Sequence, residues 1–473
     1  MARVTYLLGM PPPNAAASLP RVLTLRDVVL FNITAIVGLR HLQTASQFGP
    51  ASIILWLIAM LVFFLPSAAA VRELSEIDPR TGGLYRWSER AFGQQHGFLA
   101  GWSYWVSNVV YFPALLVSTA AIAAYAGGAG TAGLADNSLF VGVVSLACLW
   151  FAIMTNLVGL RIGRWVPNIG AYGTWVPAAI LVALAIWAFA RFGSATPFTG
   201  RLLPTHFNFE LINFFATITF AFAGLELAPT LGDEIHDPAA TLRRGVIISG
   251  VAIVAIYIIG SLAILVALPP DQVNVTNGVA QVVAVMAERL GGSWLLPLAA
   301  IVALLIALGN VGGVAAWLAG SARLPFAAGI DRVLPAAFSK VHPRWQTPYV
   351  ALLAQGACAT LFVLLGLMGS TVRDAYVALQ SATLILYFVP YLYLFAAYLR
   401  LRRERSLKTA WLGWAGFGTV ALSIVLSLIP PAVESPLRFE LKVVGGVAAF
   451  LIVGWWLAAR GVRQRTASGV GKL

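Results

Sequence analysis

An all-α integral membrane protein of about twelve transmembrane helices is the fold class that the sequence predicts, and three observations predict it. Of 473 residues, 59% are hydrophobic and 10% are charged, against about 25% charged in an ordinary soluble domain. The apolar residues gather into runs of about 20, the length that crosses a bilayer as a helix. Short basic or Gly/Pro-containing segments separate the runs, and the basic residues are distributed unevenly among those segments.

With Gly, Pro and charges as punctuation, spans fall near 27–46, 51–71, 97–126, 138–158, 166–190, 211–231, 245–267, 294–320, 348–369, 375–399, 410–429 and 439–459. The stretch VTYLLGM before Pro11-Pro12-Pro13 is too brief for a signal-peptide core, so the first helix is expected to serve as the insertion signal. With the N-terminus inside, 24 Lys/Arg lie on inner segments and 6 on outer ones, with Arg40 within the first span. The positive-inside rule then places both termini on the cytoplasmic side of the cell membrane. The net charge of +13 therefore reads as topology and contact with anionic membrane lipids, not as a nucleic-acid surface. The loops are too short for a separate soluble domain, so residues 1–473 form a single transmembrane unit. No residue pattern sets an oligomeric state.

Charges within spans are expensive and mark functional sites. Arg40 and Glu226 are two, and both follow Gly-Leu about two-thirds along a span: FNITAIVGLRHLQTA (31–45) and FATITFAFAGLELAP (215–229). The echo of GLR (38–40) and GLE (224–226) falls at the start of two expected five-helix repeats, about 27–190 and 211–399, leaving two extra helices at about 410–459. An odd number of helices inverts the second copy. Inverted repeats with first helices broken near midplane are a transporter plan in which freed backbone groups receive substrate. The bland alternative is that Gly38 and Gly224 allow close packing and that Arg40 and Glu226 form a structural salt bridge.

Three loop-centred segments carry a family resemblance: RELSEIDPRTGGLYRWSERAFGQQHGFLAGWSYW (72–105), FAFAGLE (220–226) with DEIHDPAATLRRG (233–245), and ARLPFAAGIDRVLPAAFSKVHPRWQTP (322–348). In these the chain resembles the amino acid–polyamine–organocation (APC) superfamily. The resemblance implies a leucine-transporter-type fold of five-plus-five inverted repeats with broken helices 1 and 6, working by alternating access. It implies a small-molecule substrate, an amino acid or amine, held at backbone around Ala35, Ile36, Val37 and Gly38 and around Phe220, Ala221, Phe222 and Gly224. Where many members are glycine-rich this chain has VGLRH, which puts a cation near the carboxylate subsite. Arg40 is thus expected near a substrate carboxylate and Glu226, the expected coupling residue, near its amine.

Tyr111, Phe220, Phe222 and Trp317 are aromatic candidates for the pocket or for plain packing. Asn310, in LIALGNVGGVAAW (305–317), bonds either substrate or a neighbouring helix. In sodium-coupled proteins of this fold the resemblance implies a pair of eighth-helix hydroxyls, yet 294–320 has no Ser or Thr, and 166–190 lacks the lysine that replaces the ion in some relatives. Exchange or proton coupling through Glu226 remains. GxGxxG at 128–133 follows a helix instead of a strand and is set aside as loop. Gly309 and Gly313 have the spacing of close helix contact. Cys148 and Cys358 fall in spans as small apolar groups. His41, His96, His206, His236 and His342 are scattered, so no metal or cofactor is expected, and the lack of a clustered nucleophile or acid–base pair argues against an enzyme.

Overall fold

The computed structural model describes residues 19–127, 131–198, 209–273, 278–295, 297–331, 333–367, 372–403, 406–428 and 436–467. The leader with VTYLLGM and His206 lie outside these residues, as does part of the 128–133 motif. The first crossing is α1 (Leu25–Ile36) and α2 (Leu39–Ser46), bent by 41°. A capping box starts α1: Thr24 receives the Asp27 amide, and Asp27 receives the Thr24 amide at 2.9 Å. The second crossing runs through α3 (Ala51–Ala59), a π-helical turn at Met60–Phe64 and α4 (Leu65–Ile77). The π turn disturbs the carbonyl ladder there, and Val62 accepts a hydrogen bond from the Thr419 hydroxyl at 3.2 Å.

After the short α5 (Leu84–Phe92) come the long α6 (Gln94–Tyr125), α7 (Ser138–Leu157), the single turn α8 (Leu160–Gly163) and α9 (Trp165–Phe192). The sixth crossing is broken: α10 (Phe209–Ala221) gives way to irregular backbone and then a 3₁₀ segment, Ala228–Glu234. α11 (Pro238–Ala267), α12 (Gly278–Gly291), α13 (Pro297–Ser321), α14 (Arg323–Ile330), α15 (Tyr349–Leu367), α16 (Val372–Leu401), α17 (Leu407–Ser427) and α18 (Pro436–Ala467) complete the chain. Among the described residues nine helices are long and apolar enough to cross a membrane, or ten with the bent first pair. The chain is a multi-pass membrane protein. The expected twelve exceeds that count because the sixth span is cut by its break and the apolar part of the ninth, Tyr349–Leu365, is short. α5, α12 and α14 are additional helices between the spans, and α11 begins seven residues before its expected start, from 245 to 238.

The centre is held by a seam without side chains. A Cβ on Gly173 would lie 2.5 Å from the Gly309 nitrogen, and one on Gly170 would lie 2.7 Å from the Gly312 Cα, so α9 and α13 meet backbone to backbone. Gly309 thus has Gly312 as its companion in this contact. Gly313 faces α1 instead, where a Cβ would lie 3.2 Å from the Thr34 carbonyl.

Candidate functional site

The two breaks meet at the centre of the molecule. Val37 and Gly38 are extended, which ends α1 and frees carbonyls at that depth. The Trp317 indole donates to the Ala35 carbonyl at 2.8 Å. The Tyr257 hydroxyl lies 2.8 Å from the Ile36 carbonyl and 2.9 Å from that of Ala221, sharing its proton between the two breaks, and accepts from the Gly38 amide at 3.3 Å. Trp56 stacks on Tyr257 at 4.4 Å and holds it there. In the second break Gly224 has φ +132°, and a Cβ would lie 2.7 Å from Ile36. Only glycine suits that conformation and that approach.

A small cavity of about 20 Å³ lies against both breaks, walled by Ala35, Ile36, Arg40, His41, Ser107, Asn108, Tyr111, Phe220, Ala223, Trp317, Thr383 and Tyr387. This has room for about one water, so the site is contracted. Arg40 donates to the Tyr111 hydroxyl at 2.7 Å, with its guanidinium carbon 5.5 Å from the ring centre. It sits in the first turn of α2, at the positive end of the helix dipole, which suits an anion. Arg40 also walls a second cavity of about 10 Å³ with Leu39, Gln43, Val279 and Asn310. Thr383 is buried in the first cavity, and its hydroxyl has no hydrogen-bond partner among the described residues.

Glu226 is fully buried but turned away from that cavity. One carboxylate oxygen accepts from Tyr104 at 2.8 Å and from Tyr387, and the other accepts from Tyr391 and from the Gly224 amide at 3.2 Å. These, and not Arg40, are its partners. Tyr391 also accepts from Gly224 at 2.8 Å, so the cluster fixes the second break. Tyr387 both bonds Glu226 and walls the cavity.

Of the residues singled out by sequence, Ala35, Ile36, Arg40, Tyr111, Phe220 and Trp317 share this cavity, and Val37, Gly38, Ala221 and Gly224 form the breaks beside it. Phe222 packs into core against Trp56, Phe64 and Tyr257. Asn310 belongs to the second cavity. Tyr104, Tyr257, Tyr387, Tyr391 and Thr383 went unread. The one available signal was the spacing of Tyr387 and Tyr391 on one helix face.

The three loop-centred segments converge at one end of the molecule. Arg323 holds Glu234 through two hydrogen bonds of 2.8 and 2.9 Å, both side chains buried. Arg86 meets Asp331 at 2.6 Å, and the Tyr85 hydroxyl donates to Asp331 at 2.7 Å. Burial, helped by the Asp331 charge, pushes the Tyr85 phenol well above its usual range, so it remains a donor. The Asp233 amide donates to Thr81 at 3.0 Å. Asp27 receives Arg164 at 3.1 Å and Asn168 at 3.0 Å, and the Leu23 amide reaches the Glu234 carbonyl at 2.9 Å. These contacts tie the three segments to one another and to the start of α1.

The pattern of one protein family, described as amino acid permease, matches residues 23–462. An uncharacterized transporter of Legionella pneumophila is 26% identical over 93% of this chain and 97% of its own length. A probable agmatine/putrescine antiporter of Lactococcus lactis is 25% identical, over 86% of this chain and 88% of its own. A serine/threonine exchanger of Bacillus subtilis is 26% identical, over 66% and 67%. Among solved structures, MhsT in complex with L-phenylalanine superposes with a TM-score of 0.62 at 14% identity, over 85% of this chain and 97% of that one. This likeness gives the fold, the leucine-transporter type expected above.

Proposed function

The chain belongs to the amino acid permease family, and from that premise we propose that it is a secondary active transporter, a permease or exchanger, moving amino acids across the cytoplasmic membrane by alternating access with both termini inside. The observation that carries the reading is the meeting of two broken helices on one cavity with Arg40 in its wall. Freed backbone groups there suit the two charged groups of an amino acid, and the aromatic walls suit its side chain. The contracted cavity fits a cycle in which the site opens to either side in turn. Counterflow into proteoliposomes with radiolabelled amino acids and polyamines tests it, and exchange of no amino acid would overturn it.

An organic-cation cargo is the second reading, supported by the agmatine/putrescine antiporter among the relatives. A cationic wall residue speaks against it. Counterflow of putrescine with no amino acid would select this reading over the first.

In our reading Arg40 exchanges its Tyr111 partner for the substrate carboxylate, and Thr383 supplies a further hydrogen bond. Arg40→Ala is expected to lower the apparent affinity for carboxylate-bearing substrates roughly 10- to 100-fold, as loss of a charge-assisted hydrogen bond of about 1.5–3 kcal/mol requires. Counterflow titration reads this, and an unchanged affinity removes Arg40 from the site.

Transport is further expected to be independent of sodium. α13 carries no Ser or Thr before Ser321, and Ser321 bonds the Trp317 carbonyl and Gln355, whereas a hard cation needs several oxygens at one point. Uptake with and without an inward sodium gradient, at equal ionic strength and clamped potential, should agree. Several-fold stimulation by sodium would overturn this.

A further inference from the structure

A second site lies outside the central cavity, on the lipid-facing side. A groove of about 560 Å³ runs between the second crossing and α11, walled by residues from Met60 to Arg72 on one side and from Val246 to Ala255 on the other. The wall is apolar apart from Arg72. The π-helical turn supplies Met60 and Phe64, and Gly250 stands opposite Phe64, where a Cβ would come within 3.4 Å of its ring. Val251 is 70% exposed and Ile247 54%. At a rise of about 1.5 Å per residue the longer wall spans roughly 20 Å, somewhat more than one leaflet of a ~30 Å hydrocarbon core.

The mouth of the groove is basic. Arg72 closes one wall, and Arg243 and Arg244 stand one turn before Val246 and Ile247 on the other, all three exposed. None of the three has an ion pair, hydrogen bond or ring contact among the described residues. The neighbouring carboxylates are already engaged: the Arg403 amide donates to Glu73, and the Arg403 guanidinium lies 3.7 Å from Glu76. An apolar trough one leaflet deep with unneutralised guanidinium groups at its mouth matches an acyl chain joined to an anionic headgroup.

We propose that this groove binds one anionic phospholipid of the bilayer, its acyl chain along Phe64, Gly250 and Val251 and its headgroup phosphate held by Arg72 and Arg243. These arginines lie on the basic face of the chain, which the positive-inside rule assigns to the leaflet that holds anionic lipid.

The test is native mass spectrometry of delipidated, detergent-solubilised protein given equimolar phosphatidylglycerol and phosphatidylcholine. Wild type should retain one phosphatidylglycerol with a preference of roughly 30-fold, as two arginines near an anionic headgroup imply. Val251→Trp, which fills the trough, should lose the retained lipid. R72Q/R243Q should lose most of the preference for phosphatidylglycerol. Equal retention of both lipids by wild type would overturn the proposal without reference to any variant. So would phosphatidylglycerol preference unchanged in both variants, or cysteine cross-linking through position 251 showing a second copy in the groove.

Discussion

Arg323→Ala is expected to destabilise the folded protein by about 3–5 kcal/mol, because it strands the Glu234 carboxylate without its partner in a place water does not reach. The Arg323 and Glu234 side chains are 0% and 2% exposed and joined by two hydrogen bonds. A surface pair would be worth far less. Arg323 also donates to the Ala319 carbonyl at 2.6 Å, which ties the end of α13 to α14. The measurement is thermal unfolding of purified protein in detergent, with the fraction recovered as a monodisperse peak. The paired replacement R323M/E234Q removes both charges and should recover most of the loss. A single variant as stable as wild type would mean that water enters this end of the molecule.

Glu226→Gln is expected to reduce counterflow at least about 100-fold. Each carboxylate oxygen accepts two donors, Tyr104 and Tyr387 on one and Tyr391 and the Gly224 amide on the other. An amide has one oxygen and one NH₂ group, and NH₂ only donates. Whichever way the glutamine sits, its NH₂ fits only if the tyrosine hydroxyls facing it turn to accept, so that each gives up the bond it donated, while the Gly224 amide cannot turn, at a cost of about 1–3 kcal/mol for each buried group left unpaired. The shape of the second break would change with it. If Glu226 also carries the coupled proton, the pH dependence of uptake should vanish in the variant. Unchanged rate and pH profile in Glu226→Gln would exclude both roles.

The spans were legible because a bilayer demands long apolar runs, and the breaks because Gly-Leu before a charge is conspicuous in such runs. Arg40, Tyr111, Phe220 and Trp317 were accordingly read and share one cavity. The expectation for Glu226 is a substrate amine or, as the bland alternative, a salt bridge with Arg40; within the protein its partners are four hydrogen-bond donors and not Arg40. Those donors come from α6, α16 and the break itself, positions 104, 387, 391 and 224. No local pattern connects residues so far apart, and tyrosine among apolar neighbours looks like packing. The family-like segments were conspicuous for a reason only the fold explains: Arg86, Glu234, Arg323 and Asp331 interlock across them. α5 and α12 escaped notice because neither crosses the membrane.

The glycine seam has a consequence for biogenesis. α9 ends at Phe192 and α13 begins at Pro297, so about a hundred residues must be synthesised before the two backbones can meet. Until then the face of α9 notched at Gly170 and Gly173 lacks the α13 backbone that fills it, with only Thr34 of α1 beside Gly170. The helices of the first half therefore insert before their central packing partner exists. A nascent chain interrupted ahead of α13 would leave that notch open, a feature by which membrane quality control could tell an unfinished molecule from a complete one.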